Sequence, residues 1–247
     1  LLVVASGQIL TMLVLLVCCL ALHLPLPGRL QLFYAALGGF EGSLALAAFY
    51  RALAMGAMGL TAALTGLLTA LVPVVFALFR EGLPTPIACA GLVAGLAAIW
   101  LITHTPGGKD AGTPRGALLL GALAGVGFGA QLVLFKMASV GGVMWAMTSG
   151  RVAGVAALLL VLVLMPPTGP RRGFWLLGIV AGVLDTAGNL FYLLATQFGR
   201  LASAAVICSL YPGVTILLAA LVLREWPTRR QMTGMALALG AVVLLSL

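Results

Sequence analysis

Two of the five acidic side chains stand deep inside long apolar runs: Glu41, near the middle of residues 31–54, and Asp185, near the middle of residues 173–196. One cation, Arg151, lies about a third of the way into the run 141–165. A charge in hydrocarbon costs on the order of 3 kcal/mol or more, so such groups persist where they face a wet cavity or neutralise one another. Two readings stay open. A carboxylate stripped of water can exchange a proton near neutrality or hold a cationic group. Alternatively, Arg151 neutralises one acid in an inter-helix salt bridge while hydroxyls or amides hold the other. Asn189 follows Asp185 by four residues, which puts the two on one helix face. Gln131 and Gln8 add polar groups that suit a lining or a bond between helices. Glu41, Asp185, Arg151, Asn189, Gln131 and Gln8 therefore form the candidate set for substrate binding or coupling. Lys136, His23 and His104 sit at or beyond the ends of runs and read as solvated. Tyr192 reads as packing or interface belt. Glu81 and Glu225, each beside an arginine, read as structural anchors.

The elements that must position these groups are apolar throughout. Of 247 residues 63% are hydrophobic and 7% charged, with mean hydropathy +1.22. A soluble domain of that length needs far more polar surface, so the solvent for most of this chain is lipid. A membrane span takes about 20 apolar residues. Gly, Pro and charges divide the chain into nine such runs, near 1–22, 31–54, 57–79, 85–103, 116–135, 141–165, 173–196, 201–223 and 230–247. Short connectors make successive helices antiparallel neighbours. Gly121, Gly125 and Gly129 recur every fourth residue, and Gly91/Gly95 and Gly150/Gly154 repeat the spacing. Such stripes let helix backbones approach closely in lipid, and they also offer a homodimer interface.

The chain repeats itself. Ser6-Gly7-Gln8 returns as Ser149-Gly150-Arg151, Phe49-Tyr50 as Phe191-Tyr192, and Arg80-Glu81 with Pro84-Thr85 as Arg224-Glu225 with Pro227-Thr228. The shifts are 142 to 144 residues, and Glu41 meets Asp185 at 144, which suggests that these acids oppose one another across a pseudo-symmetry axis. The expected organisation is a first repeat of four helices at 1–103, a connector at 104–115 and a second repeat of five helices at 116–247. Run 116–135 has no counterpart in the first copy. The expected fold is thus an all-α integral membrane protein: nine transmembrane helices from an inverted five-plus-five repeat lacking its first helix. A five-helix unit begins and ends on opposite membrane faces, so two in tandem insert in opposite senses, a construction common in secondary transporters.

Residues 48–102 and 190–247, with Tyr211-Pro212 and the ending REWPTRRQMTGMALALGAVVLL, resemble EamA-type members of the drug/metabolite transporter superfamily. Two marks carry the resemblance: a proline in the penultimate helix followed by a glutamate at its end (Pro212, Glu225), and an arginine in the second helix of a repeat (Arg151). The first copy has Leu68 at the proline position and Gln8 at the arginine position. The resemblance implies a ten-helix bundle around a central cavity, with small polar metabolites or drugs as substrates. The inverted repeat adds alternating access across the cell membrane, and the carboxylates inside the runs add proton coupling as an option. A flippase for lipid-linked or amphipathic molecules is the alternative on the same fold.

Other classes fit poorly. The only two histidines sit in connectors, away from the polar spans, so a serine hydrolase lacks its base, and the dispersed acids offer no metal-dependent transferase site. No CxxC or HExxH motif is present, so neither a cofactor nor a metal is expected. The 13 Lys and Arg are scattered through connectors as lipid-headgroup anchors rather than gathered with aromatics on a nucleic-acid surface. The expected partners are a small-molecule substrate and the bilayer.

Overall fold

A backbone N–H or C=O left open in hydrocarbon costs several kcal/mol, so apolar runs of this length close their own hydrogen bonds as helices. The computed structural model describes residues 2–55, 58–103, 115–164, 175–210 and 228–246. The described residues form nine α-helices and no strand: α1 Leu2–Ala21, α2 Arg29–Ala54, α3 Met58–Arg80, α4 Pro86–Thr103, α5 Arg115–Ser139, α6 Val143–Leu164, α7 Trp175–Phe198, α8 Leu201–Cys208 and α9 Arg229–Ser246. Arg29–Ala54, Arg115–Ser139, Val143–Leu164 and Leu176–Phe198 are long and apolar enough to cross a membrane, and Ala5–Ala21, Leu64–Arg80 and Pro86–Ile102 are shorter apolar segments. Pro212 and Glu225, two marks of the family resemblance, lie outside the described residues, as does His104.

Helix starts follow from the repeated Pro-Thr pair. The Ala88 N–H donates to Thr85 Oγ1 at 3.2 Å, and Pro86 opens α4, where its missing N–H is no loss. In the second copy the Gln231 N–H donates to Thr228 Oγ1 at 3.3 Å. The Thr228 N–H donates back to Gln231 Oε1 at 2.8 Å, a reciprocal cap that closes two open donors of α9.

The helices gather into two compact units that cut across the sequence halves: Leu1–Ala47 with Ala130–Phe198, and Ala48–Gly129 with Gly199–Leu247. In the first unit α1 packs on α6 and α7, and α6 on α7. The contacts are backbone to backbone. A methyl group on Gly7 would lie 3.1 Å from the Cα of Gly182, and one on Gly39 would overlap the backbone of Gly150. Gly150 and Gly182 stand 143 residues after Gly7 and Gly39, so the second contact is the first with its members exchanged. That exchange is what a two-fold relation between duplicated segments produces.

The second unit packs α4 on α9, and α3 on α4 and α8, and it obeys the same rule. A methyl group on Gly91 would lie 2.9 Å from Leu245 Cγ, and one on Gly234 would lie 2.8 Å from Ile102 Cγ1. Those partners are again 143 residues apart in exchanged order. The stripe of α5 also faces inward. Methyl groups on Gly121, Gly125 and Gly129 would meet Thr61 Cγ2, the Thr65 carbonyl oxygen and Val72 Cβ at 2.7, 2.7 and 2.6 Å. These glycine faces are therefore occupied within the chain, where small residues allow the close approach that holds helices together in lipid. Thr65 Oγ1 adds a hydrogen bond to the Gly121 carbonyl at 2.8 Å.

Candidate functional site

All six residues nominated from the sequence fall in the first unit, and three of them meet. Arg151 follows Gly150 on α6 and projects toward α7. Its Nη2 donates to Asp185 Oδ2 at 2.5 Å and to Thr186 Oγ1 at 3.0 Å. Asp185 Oδ1 accepts from Asn189 Nδ2 at 3.3 Å. The same amide also donates to the Asp185 carbonyl one helical turn below, at 2.9 Å. The pair is unevenly placed: the Arg151 side chain is 10% exposed and the Asp185 side chain 55%. Arg151 thus brings a cation into the unit, and Asp185 supplies its counter-charge while keeping one flank of the carboxylate open. An ion pair spares both groups the cost of standing alone in a low-dielectric setting. Nε and Nη1 of Arg151 have no hydrogen-bond partner among the described residues.

Thr186 was not nominated. Its hydroxyl donates to the Gly182 carbonyl at 2.8 Å, the usual retreat of a threonine inside an apolar helix. One signal was present: Ser43 occupies the corresponding place 143 residues earlier.

The other three nominees stand apart from this cluster. Glu41 is half-buried on α2 and has no ion-pair or hydrogen-bond partner among the described residues. Its neighbours explain the separation. Gly39 and Ser43 meet α6, at Gly150 and Gly154. Glu41 is two residues from each and so points about 160° away from both. The contact pattern runs at a shift of 143, at which the counterpart of Asp185 is Gly42. One residue of register turns a helical side chain by about 100°. The opposition of Glu41 and Asp185 suggested by a shift of 144 is therefore not the relation the packing uses. Gln131, on α5, lies where a side chain at Gly42 would be, beside Glu41 in sequence. Gln8 follows Gly7 as Arg151 follows Gly150. It is only 8% exposed, and its Oε1 has no partner among the described residues.

Neighbouring polar groups serve the backbone. Lys136, read as solvated, instead donates from Nζ to the Thr196 carbonyl in the last turn of α7, where a helix leaves acceptors open and favours a cation. The buried Tyr192 donates its hydroxyl proton to the Leu132 carbonyl at 2.9 Å, and Gln197 Nε2 donates to Ser139 Oγ at 2.8 Å. An apolar cavity of about 370 Å³ also lies in this unit, lined in part by Leu24, Trp145, Leu190 and Leu194. Among the described residues no three His, Cys, Asp or Glu side chains come together as a metal site would require.

Comparisons with known proteins bear on the family and the fold. The family description "EamA-like transporter family" matches residues 115–247, more than half of the chain and the whole second sequence repeat. A solved crystal structure is similar over 100% of this chain and 88% of that one, with a TM-score of 0.76 and 20% identity, which shows a shared fold. No curated protein matches.

Proposed function

The chain belongs to the EamA-like transporter family, and we propose that it moves small polar molecules across the cell membrane by alternating access. Membership supports a multi-pass membrane transporter of the drug/metabolite superfamily, and a non-enzyme reading fits it. One observation carries the finer reading: the ion pair inside the apolar helices α6 and α7, with Asp185 half exposed and Arg151 only partly used. Charge at membrane depth is costly and marks pathways. Here Asp185 offers acceptor oxygens to a substrate's N–H or cationic groups. Nε and Nη1 of Arg151 offer donors to its oxygens, and the Asn189 carboxamide lies alongside. Glu41, which has no partner among the described residues, is assigned to coupling, with the proton as coupling ion. The exchanged glycine contacts support the inverted five-plus-five design that alternating access needs.

The test is uptake into proteoliposomes carrying the full-length protein, with and without a pH gradient. Suitable labelled solutes are tetraethylammonium, L-alanine, succinate and ribose. Saturable movement of at least one, lost in Asp185→Asn while insertion stays intact, is the expected result. Equal transport by Asp185→Asn at every pH would sink the assignment.

The apolar cavity beside Trp145 and Leu190 favours a second reading, in which the cargo is amphipathic and its apolar part occupies that space. Protein-dependent translocation of a fluorescent phospholipid between leaflets, with no movement of the four polar solutes, would select it.

A further inference from the structure

The proposal concerns how Arg151 is aimed, and it rests on the transport reading above. We propose that Thr186 is the positioning residue of the site: it clasps Nη2 of Arg151 together with Asp185, and so decides which edge of the guanidinium is left for a substrate. A guanidinium only donates hydrogen bonds, whereas a threonine hydroxyl has one proton and two lone pairs. The Thr186 proton goes to the Gly182 carbonyl at 2.8 Å, so the oxygen facing Arg151 at 3.0 Å acts purely as an acceptor. Nη2 carries two hydrogens. With Asp185 Oδ2 at 2.5 Å taking one and Thr186 Oγ1 the other, that nitrogen is fully used.

Two acceptors on consecutive residues of α7 restrain what one could not. A single carboxylate contact lets a guanidinium pivot about the shared hydrogen bond. A second, from a hydroxyl locked to its own helix, removes the pivot. Nη1 and Nε, without a partner among the described residues, are thereby held in one direction. A substrate acceptor, whether carbonyl, carboxylate or phosphate oxygen, then meets donors already in place, and preorganisation of this kind lowers the cost of binding.

The experiment uses phenylglyoxal, which condenses with the guanidinium nitrogens of arginine, on full-length protein in lipid nanodiscs. Labelling at Arg151 is read by peptide mass spectrometry in wild type, Thr186→Val and Thr186→Ser. Valine keeps the shape and removes the acceptor, whereas serine keeps the acceptor. Loss of one hydrogen bond to a charged group should raise the labelling rate of Arg151 about tenfold in Thr186→Val, with Thr186→Ser close to wild type. Equal labelling in all three overturns the proposal, as does a rise in Thr186→Ser to match valine. Uptake of the four solutes separates this from the underlying reading. If Arg151→Gln lowers uptake, Thr186→Val should raise KM in the wild-type background and change nothing further in the Arg151→Gln background. An added loss there makes Thr186 a packing residue. If instead Arg151→Gln transports normally while phenylglyoxal still separates valine from serine, the part that the transport reading gives Arg151 fails and the clasp stands.

Discussion

Among the described residues there are two arginine–carboxylate pairs, one in each unit, and they have little in common beyond charge. Arg151 and Asp185 meet at 2.5 Å inside α6 and α7, within helices whose backbone bonds are already closed. Arg200 and Glu81 approach only to 3.7 Å, and their better contacts go to helix ends. Arg200 Nη2 donates to the Gly82 carbonyl at 2.5 Å and to the Glu81 carbonyl at 3.3 Å, just past the end of α3. In return the Leu201 N–H, at the start of α8, donates to Glu81 Oε1 at 3.3 Å. The anchor expected at Glu81 is thus real, but its arginine is Arg200 and not the adjacent Arg80. An ion pair that closes open backbone groups explains itself structurally. A pair that closes none, and still sits among apolar side chains, asks for another reason to exist.

The largest expected effect tests that contrast directly. Asp185→Asn should cut uptake per inserted molecule roughly a hundredfold, the upper weight of a hydrogen bond between charged groups. Glu81→Gln should leave uptake per folded molecule unchanged. Matching losses in the two variants would erase the distinction between the pairs.

Next comes the packing beneath the functional pair. Gly150→Val should destabilise the detergent-solubilised protein by about 1–3 kcal/mol, the usual range for overpacking, because its side chain would press on Phe135 and the Ala35 carbonyl. Thermal unfolding followed by circular dichroism measures this, and an unchanged midpoint would contradict the close approach of α2 and α6.

Glu41→Gln sharpens the comparison from within the first unit. It should lower uptake by less than Asp185→Asn does, since no ion pair of Glu41 is lost among the described residues, while flattening its dependence on the pH gradient. Retained gradient dependence in this variant would move coupling to Asp185. The smallest effect belongs to the second unit: Arg200→Ala should cost about 1 kcal/mol, as lost helix caps do, visible as a slightly lower unfolding midpoint at unchanged uptake per molecule.

Much of the fold was legible because lipid leaves so few options. Apolar runs became helices with ends within a few residues of the expected ones, except that the expected end of the run 201–223 lies outside the described residues. The repeated Pro-Thr pairs proved to be matching caps. The run expected to close at residue 135 continues to Ser139, and Lys136 in the added turn donates to the Thr196 carbonyl in the last turn of α7 instead of seeking water. The site was less legible. That Arg151 neutralises an acid was one of two readings left open by the cost of its charge, and the choice between Glu41 and Asp185 depended on a single residue of register. Neither a shift of 143 nor one of 144 can be preferred until contacts exist to count from. Thr186 was hidden for a different reason: hydroxyls inside apolar helices usually bond to their own backbone, and Thr186 does so as well as receiving Arg151.

The exchanged glycine contacts bear on how such a gene can change after duplication. Gly39 is opposed by the backbone of Gly150, and Gly7 by that of Gly178 and Gly182, so each copy constrains the other with atoms that no mutation can trim. A side chain pressing on a leucine can be accommodated by a smaller neighbour, but a side chain pressing on a peptide group has no such remedy. At these positions neither copy can relieve the other by losing an atom. At the positions alongside, one half carries glutamine and the other arginine.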